Sequence, residues 1–148
     1  PVSIEGYYDE ALSVPGLLHL LQTTPGYDAV IIACFDDTGL DAARCLTDRP
    51  VIGIGEAAYH FASMIANKFS VVTTLARSVP ALEHNLHKYG LATRCARVRS
   101  SEVAVLDLSW QKSDPATLQV QPNIVLLKKP LKPASLRSWL SGLKISGS

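Results

Sequence analysis

The sequence lacks any apolar run long enough to cross a membrane; its longest, such as residues 29–35 (AVIIACF), are the size of a strand. Cysteine is scarce. Cys34, Cys45 and Cys95 form neither a CxxC pair nor a metal-ligand spacing, and an odd count without a framework fits reduced thiols in a cytoplasmic setting. No excess of one charge is present either: 14 Lys+Arg face 13 Asp+Glu, a net of +1, which removes the electrostatic reason to expect nucleic acid or a membrane surface as partner. No GxGxxG, GxxxxGK(S/T) or GxSxG occurs, so dinucleotide, P-loop and serine-hydrolase readings have no support. There is no internal repeat and no low-complexity tract, no signal peptide is visible, and the chain opens on Pro1 instead of Met, which reads as a fragment.

What is present is a chain of 148 residues, 47% of them hydrophobic, enough for one domain with a real core. The charge is unevenly spread. Residues 1–107 hold 8 Lys+Arg and 12 Asp+Glu, whereas residues 108–148 hold 6 and 1. That switch is consistent with two pieces of different origin, or with a basic tail.

Short apolar strands alternate with helical stretches. Strands are expected at residues 2–5, 29–35, 51–55, 69–73, 95–99, 103–108 and 123–129. Helices are expected over 9–21, where Pro15-Gly16 should start or interrupt the element, and then up to Leu46 after the cap candidates Asp36, Asp37 and Thr38. Further helices should cover 56–66, 78–89 with Ser78 as cap and Gly90 as stop, and 134–143. Residues 109–122 read as an irregular connection. Strand–helix units of this size indicate right-handed crossovers, hence a single α/β domain: a flavodoxin-like, doubly wound, mainly parallel sheet with helices on both faces. In such sheets ligands sit at the carboxyl ends of the strands.

Those ends carry Cys34-Phe35-Asp36-Asp37, Gly55-Glu56 and Thr73-Thr74. A thiol at Cys34 would meet backbone N–H groups and the positive end of the following helix, both of which favour thiolate. The alternative is a small buried apolar side chain. Gly53 and Gly55 could let backbone approach a small ligand, and Thr73-Thr74 offers hydroxyls from another strand end.

The stretches VIIACFDDTGLDAAR, RPVIGIGEAAYHFASMIANKFSVVTT, VPALEHNLHKYGL and VAVLDL, in that order, resemble the aspartate/glutamate racemase superfamily, nearest to its hydantoin and allantoin racemase branch, over residues 1–108. The resemblance implies cofactor-independent racemisation of a small hydantoin-like or amino-acid-like substrate. One cysteine thiolate removes the α-proton and a second thiol returns a proton to the opposite face. It makes Cys34 one of the two, and Asp36, Glu56, Thr73 and Thr74 substrate-pocket residues, with the threonines holding carbonyl oxygens. For Asp36 a helix N-cap and for Glu56 a first-turn acid are the competing roles. The family's leading strand and its second cysteine-bearing half have no counterpart here, and neither Cys45 nor Cys95 reads as the second thiol. Stereoinversion is therefore expected to fail.

The tail, NIVLLKKPLKPASLRSWL, resembles the last strand, Lys-Pro turn and last helix of a response-regulator receiver, with Lys129-Pro130 as the characteristic pair. A chimera of two flavodoxin-like pieces would then be joined within the domain, as an engineered fold without catalysis or a receiver-like signalling module. No Asp ends the strands at 51–55 or 69–73, so phosphoryl acceptance is not expected. The strand at 123–129 could fill the place of the missing leading strand, within one chain or by exchange in a homodimer, or it could lie at the sheet edge. His84 and His87 stand three apart and read as surface residues, with no metal expected.

Overall fold

The computed structural model describes residues 1–109 and 124–127. The receiver-like turn and helix at 128–143, most of the connection at 109–122, and Trp110 and Trp139 lie outside the described residues. Along the chain the elements are α1 (Tyr7–Thr23), β1 (Ala29–Ile32), α2 (Leu40–Leu46), β2 (Val51–Gly53), α3 (Ile54–Ile65), β3 (Phe69–Thr73), α4 (Val79–Lys88), β4 (Cys95–Ser100), α5 (Val105–Ser109) and β5 (Ile124–Leu127). Short 3-10 turns occupy Ala76–Ser78 and Ala92–Arg94. β1 and β2 run parallel with Ile32 opposite Gly53, and β3 and β4 run parallel with a register shift between Phe69 and Ser70. The expected α/β architecture, parallel strands linked by helical crossovers, is the one observed.

Burial explains the placement of β1. Val30 and Ile32 alternate inward, 0% and 1% exposed, against Leu17 and Leu21 of α1, Leu40 and Ala43 of α2, and Val51 of β2. A second cluster joins α3, β3 and α4 through Tyr59, Val71, Leu82 and Leu86. Tyr89, which caps the end of α4, packs against both clusters and bridges them.

Several boundaries differ from the sequence expectation. Residues 2–5 form no strand; Glu5 is instead buried, its carboxylate paired with Arg77 and accepting the Val105 N–H (3.2 Å). Pro15 does not break α1. It faces solvent, as does Ala11 one turn earlier, so the carbonyl left without an intrahelical donor can be hydrated. β1 stops at Ile32 because the chain turns at Cys34, whose carbonyl accepts the Asp37 N–H (3.0 Å). Residues 105–109 are helical, not extended; the Glu5 carboxylate on the first N–H of α5 supplies an acceptor that the pattern VAVLDL does not reveal.

β5 lies beside β1, opposite β2, giving a three-stranded order β2-β1-β5 apart from the β3-β4 pair. It fills the vacant edge of β1 within the same chain, but runs antiparallel, with Ala29 opposite Leu127 and Ile32 opposite Ile124. A receiver or any purely parallel doubly wound sheet has the other direction there.

One hydroxyl tests the packing. Tyr59 is 1% exposed, its ring stacked on Phe69 and edge-on to Phe35, and its OH has no hydrogen-bond partner among the described residues. Tyr59→Phe should therefore raise stability by about 1 kcal/mol, read as a higher urea midpoint. Leu82→Ala, in the same cluster, should cost about 2–5 kcal/mol.

Candidate functional site

The turn after β1 carries Cys34 and folds back on itself. Asp37 N–H reaches the Cys34 carbonyl and Leu40 N–H the Asp37 carbonyl, both at 3.0 Å. Asp37 adopts a left-handed conformation, φ 53°. The turn brings the Thr38 hydroxyl to 3.4 Å from the Cys34 sulfur and directs the N–H groups of Asp36 and Thr38 at it.

Burial nonetheless dominates the electrostatics. It pushes the Cys34 thiol above its ordinary range. The Thr38 hydroxyl and the N–H groups of Asp36 and Thr38 pull it down, and the Asp36 charge adds to the rise. Cys34 is thus protonated at neutral pH, where the sequence suggested thiolate. Burial is the reason, and α2 offers no counterweight, since it starts only at Leu40, after Gly39, several residues beyond Cys34.

Asp36 is half-buried, and its main-chain carbonyl accepts the Asn85 side-chain amide (2.8 Å). Burial, and then the charges of Glu10 and Asp37, lift its carboxyl from 3.8 to about 6. Glu10 comes from α1; burial raises it also, while the Gly39 N–H, Lys88 and His84 lower it. Neither Asp36 nor Asp37 caps α2, since that place is held by Gly39.

Asp37 instead reaches across to β2 and α3. Its Oδ1 accepts the Gly55 N–H (2.9 Å), and its Oδ2 accepts the Glu56 N–H (2.7 Å) and the Tyr89 hydroxyl (2.7 Å). Burial raises the Asp37 carboxyl more than these three donors lower it. This carboxylate also explains Gly53 and Gly55. A Cβ at either position would collide with it, and one at Gly55 also with the Phe35 carbonyl. The open space above these glycines serves a side chain of the same molecule, not the approach of a ligand.

Glu56 does stand in the first turn of α3, and its carboxylate is taken by Arg44 (2.6 Å), which also donates to the Val51 carbonyl. Thr73 ends β3; its carbonyl accepts the Ser101 N–H (2.9 Å), and that of Thr74 accepts the Ser101 hydroxyl (3.3 Å). The structure thus brings Cys34, Asp36 and Glu56 together around Asp37, and places Thr73 and Thr74 at a neighbouring strand end. Cavities of about 260 Å³, bordered by Glu5, Tyr8, Asp9, Leu12 and Arg77, and about 290 Å³, bordered by Glu83, His87 and Cys95, lie elsewhere. No group of three or more metal-ligating side chains occurs among the described residues, and no described helix is long and apolar enough to cross a membrane. His84 is exposed beside the Tyr7 hydroxyl (3.4 Å).

The raised Asp36 carboxyl has a stability consequence. A folded value of about 6 above an ordinary 3.8 gives stability that is present in acid and lost as pH rises through about 6. Asp36→Asn removes this loss. Its stability relative to the parent chain should climb between about pH 4 and about pH 7 and level off above, measured by urea unfolding across that range.

The model of the Asp/Glu/Hydantoin racemase family matches residues 1–124. A hydantoin racemase of Pseudomonas sp. (strain NS671) is 47% identical over 109 residues, covering 72% of this chain and 44% of the relative. One from Rhizobium meliloti is 50% identical over 110 residues, covering 73% and 46%. Among solved structures, allantoin racemase from Klebsiella pneumoniae superposes with a TM-score of 0.65 at 45% identity, over 72% of this chain and 44% of that one. The allantoin racemase of Pseudomonas fluorescens gives 0.70 at 37% identity, over 74% and 47%. The chain spans somewhat less than half the length of these relatives. A thiol at the end of a buried strand, the acids around it and these matches agree: the chain belongs to the Asp/Glu/hydantoin racemase family.

Proposed function

We propose that this chain supplies one side of a cofactor-independent proton-transfer site acting on a hydantoin-like carbon acid, with Cys34 as the group that moves the proton. The observation that supports this most is the turn around the sulfur: a buried thiol beside β1, faced by the Thr38 hydroxyl and two N–H groups, in a chain of this family. Once deprotonated, the sulfur takes the α-proton, and the electron pair left on carbon passes to the adjacent carbonyl oxygen. In this reading Thr73 and Thr74 donate to substrate oxygens, and Asp36 borders the substrate. Glu56 shapes the pocket while paired with Arg44, so it acts through the position of α3 and not as an acceptor for substrate.

A single proton-transferring group works from one face only. Cys45 is exposed on α2, and Cys95 begins β4 with its thiol directed to the Arg97 carbonyl (3.4 Å), so in this reading neither serves as the second thiol. The 148-residue chain acting alone should then exchange the α-proton with solvent without inverting the centre. In D2O, NMR of one enantiomer of a 5-substituted hydantoin should show loss of the α-proton signal while optical rotation holds. Cys34→Ser should slow that exchange about 100-fold or more. Exchange that survives the substitution, or inversion at the rate of exchange, would rule the reading out.

A further inference from the structure

We infer that Asp37 is the positioning residue of the Cys34 turn, and that Tyr89 locks it in place. This deepens the proton-transfer reading and takes its functional meaning from it, but its test uses no substrate.

The geometry is specific. One carboxylate accepts three donors from two distant segments, Gly55 and Glu56 at the start of α3 and Tyr89 at the end of α4, while its own N–H closes the turn on the Cys34 carbonyl. Its left-handed backbone (φ 53°) is an uncommon conformation for a residue other than glycine, one that aspartate tolerates better than most. Gly53 and Gly55 leave the socket in which the carboxylate sits. The Asn85 side chain, from α4, donates to the Asp36 carbonyl, so both the C=O and the N–H of the Asp36–Asp37 peptide are held. Because Cys34 and Thr38 flank this clamp, the direction of the N–H groups at the sulfur, and the exclusion of water from it, depend on Asp37.

An ordinary helix cap would serve α3 alone. A positioning residue sets the acidity of a thiol it does not touch. The charged and titratable groups around the thiol and the clamp are Asp36 on the same turn, Glu10 on α1, Asp41 and Arg44 on α2, Glu56 and Tyr59 on α3, and Lys88, His84 and Tyr89 at or near α4.

The test is the rate of Cys34 alkylation by iodoacetamide against pH, in the full chain with Cys45→Ser and Cys95→Ser so that one thiol reports. Asp37→Asn keeps one oxygen for Gly55 but presents an NH2 group to the Glu56 N–H. With the turn loosened, water reaches the sulfur, and the alkylation midpoint should fall by about one pH unit, a gain of about tenfold in thiolate below the midpoint. Tyr89→Phe removes a single donor and should move the midpoint in the same direction by a smaller amount. A cap serving α3 alone would lower the unfolding midpoint and leave the alkylation midpoint where it was. A folded Asp37→Asn protein, judged by circular dichroism and one cooperative transition, with no fall in the midpoint overturns the inference. Should Asp37→Asn fail to fold, Tyr89→Phe decides alone: a fall upholds the inference and no fall overturns it.

Discussion

A buried carboxylate must be satisfied or it will not stay charged, and here that requirement falls on Asp37. Removing a carboxylate from water costs several kcal/mol, offset only if its lone pairs are taken up in good geometry. Two N–H groups at the head of a 12-residue helix and one phenol do so, each a charge-assisted hydrogen bond, with the helix dipole favouring the negative charge. The balance is not complete, since burial still raises the carboxyl. The arrangement joins the turn after β1, the start of α3 and the end of α4. These are the same segments that connect the two hydrophobic clusters through Tyr89.

The state of Cys34 follows from where that clamp holds it. The sulfur receives donors from its own turn, but it also faces a side of the molecule rich in acid: Asp36, with Glu10 and Asp37 behind it. The nearby cations are occupied, Arg44 by Glu56 and Lys88 by Asp41. Burial first, and then the Asp36 charge, leave the thiol protonated. Its acidity is therefore set less by its immediate hydrogen bonds than by how far water is kept from it. Proton transfer at this site is accordingly coupled to packing, because a small opening of the turn changes the desolvation that dominates the balance.

Much of this was legible in the sequence. Runs such as AVIIACF and FSVVT, bounded by turn residues, mark parallel strands, and Ser78-Val79-Pro80 marks the start of α4, which begins at Val79. Cys34 at a strand end was legible for the same reason. What was not legible depends on contacts between residues far apart. The partners of Asp37 lie 18, 19 and 52 residues away, so nothing local distinguishes it from a cap for α2. Gly53 and Gly55 announce that a Cβ is not tolerated, but not whether a ligand or a side chain fills the space. VAVLDL reads as a strand until Glu5, a hundred residues earlier, is seen to hold the Val105 N–H.

β5 shows the same limit at the level of topology. Apolarity and β-branching say that IVLL can pair with a sheet, and the vacant edge of β1 offers backbone groups that need partners. Neither property carries a direction. Parallel and antiparallel ladders satisfy the same N–H and C=O groups, and a run of four apolar residues has no polar alternation to separate them. Direction is set by the path of the chain between the strands. An antiparallel β5 places Leu127 beside Ala29, at the opposite end of β1 from Cys34, and Ile124 beside Ile32, so the chain enters this strand at the end that bears the thiol and leaves it at the other.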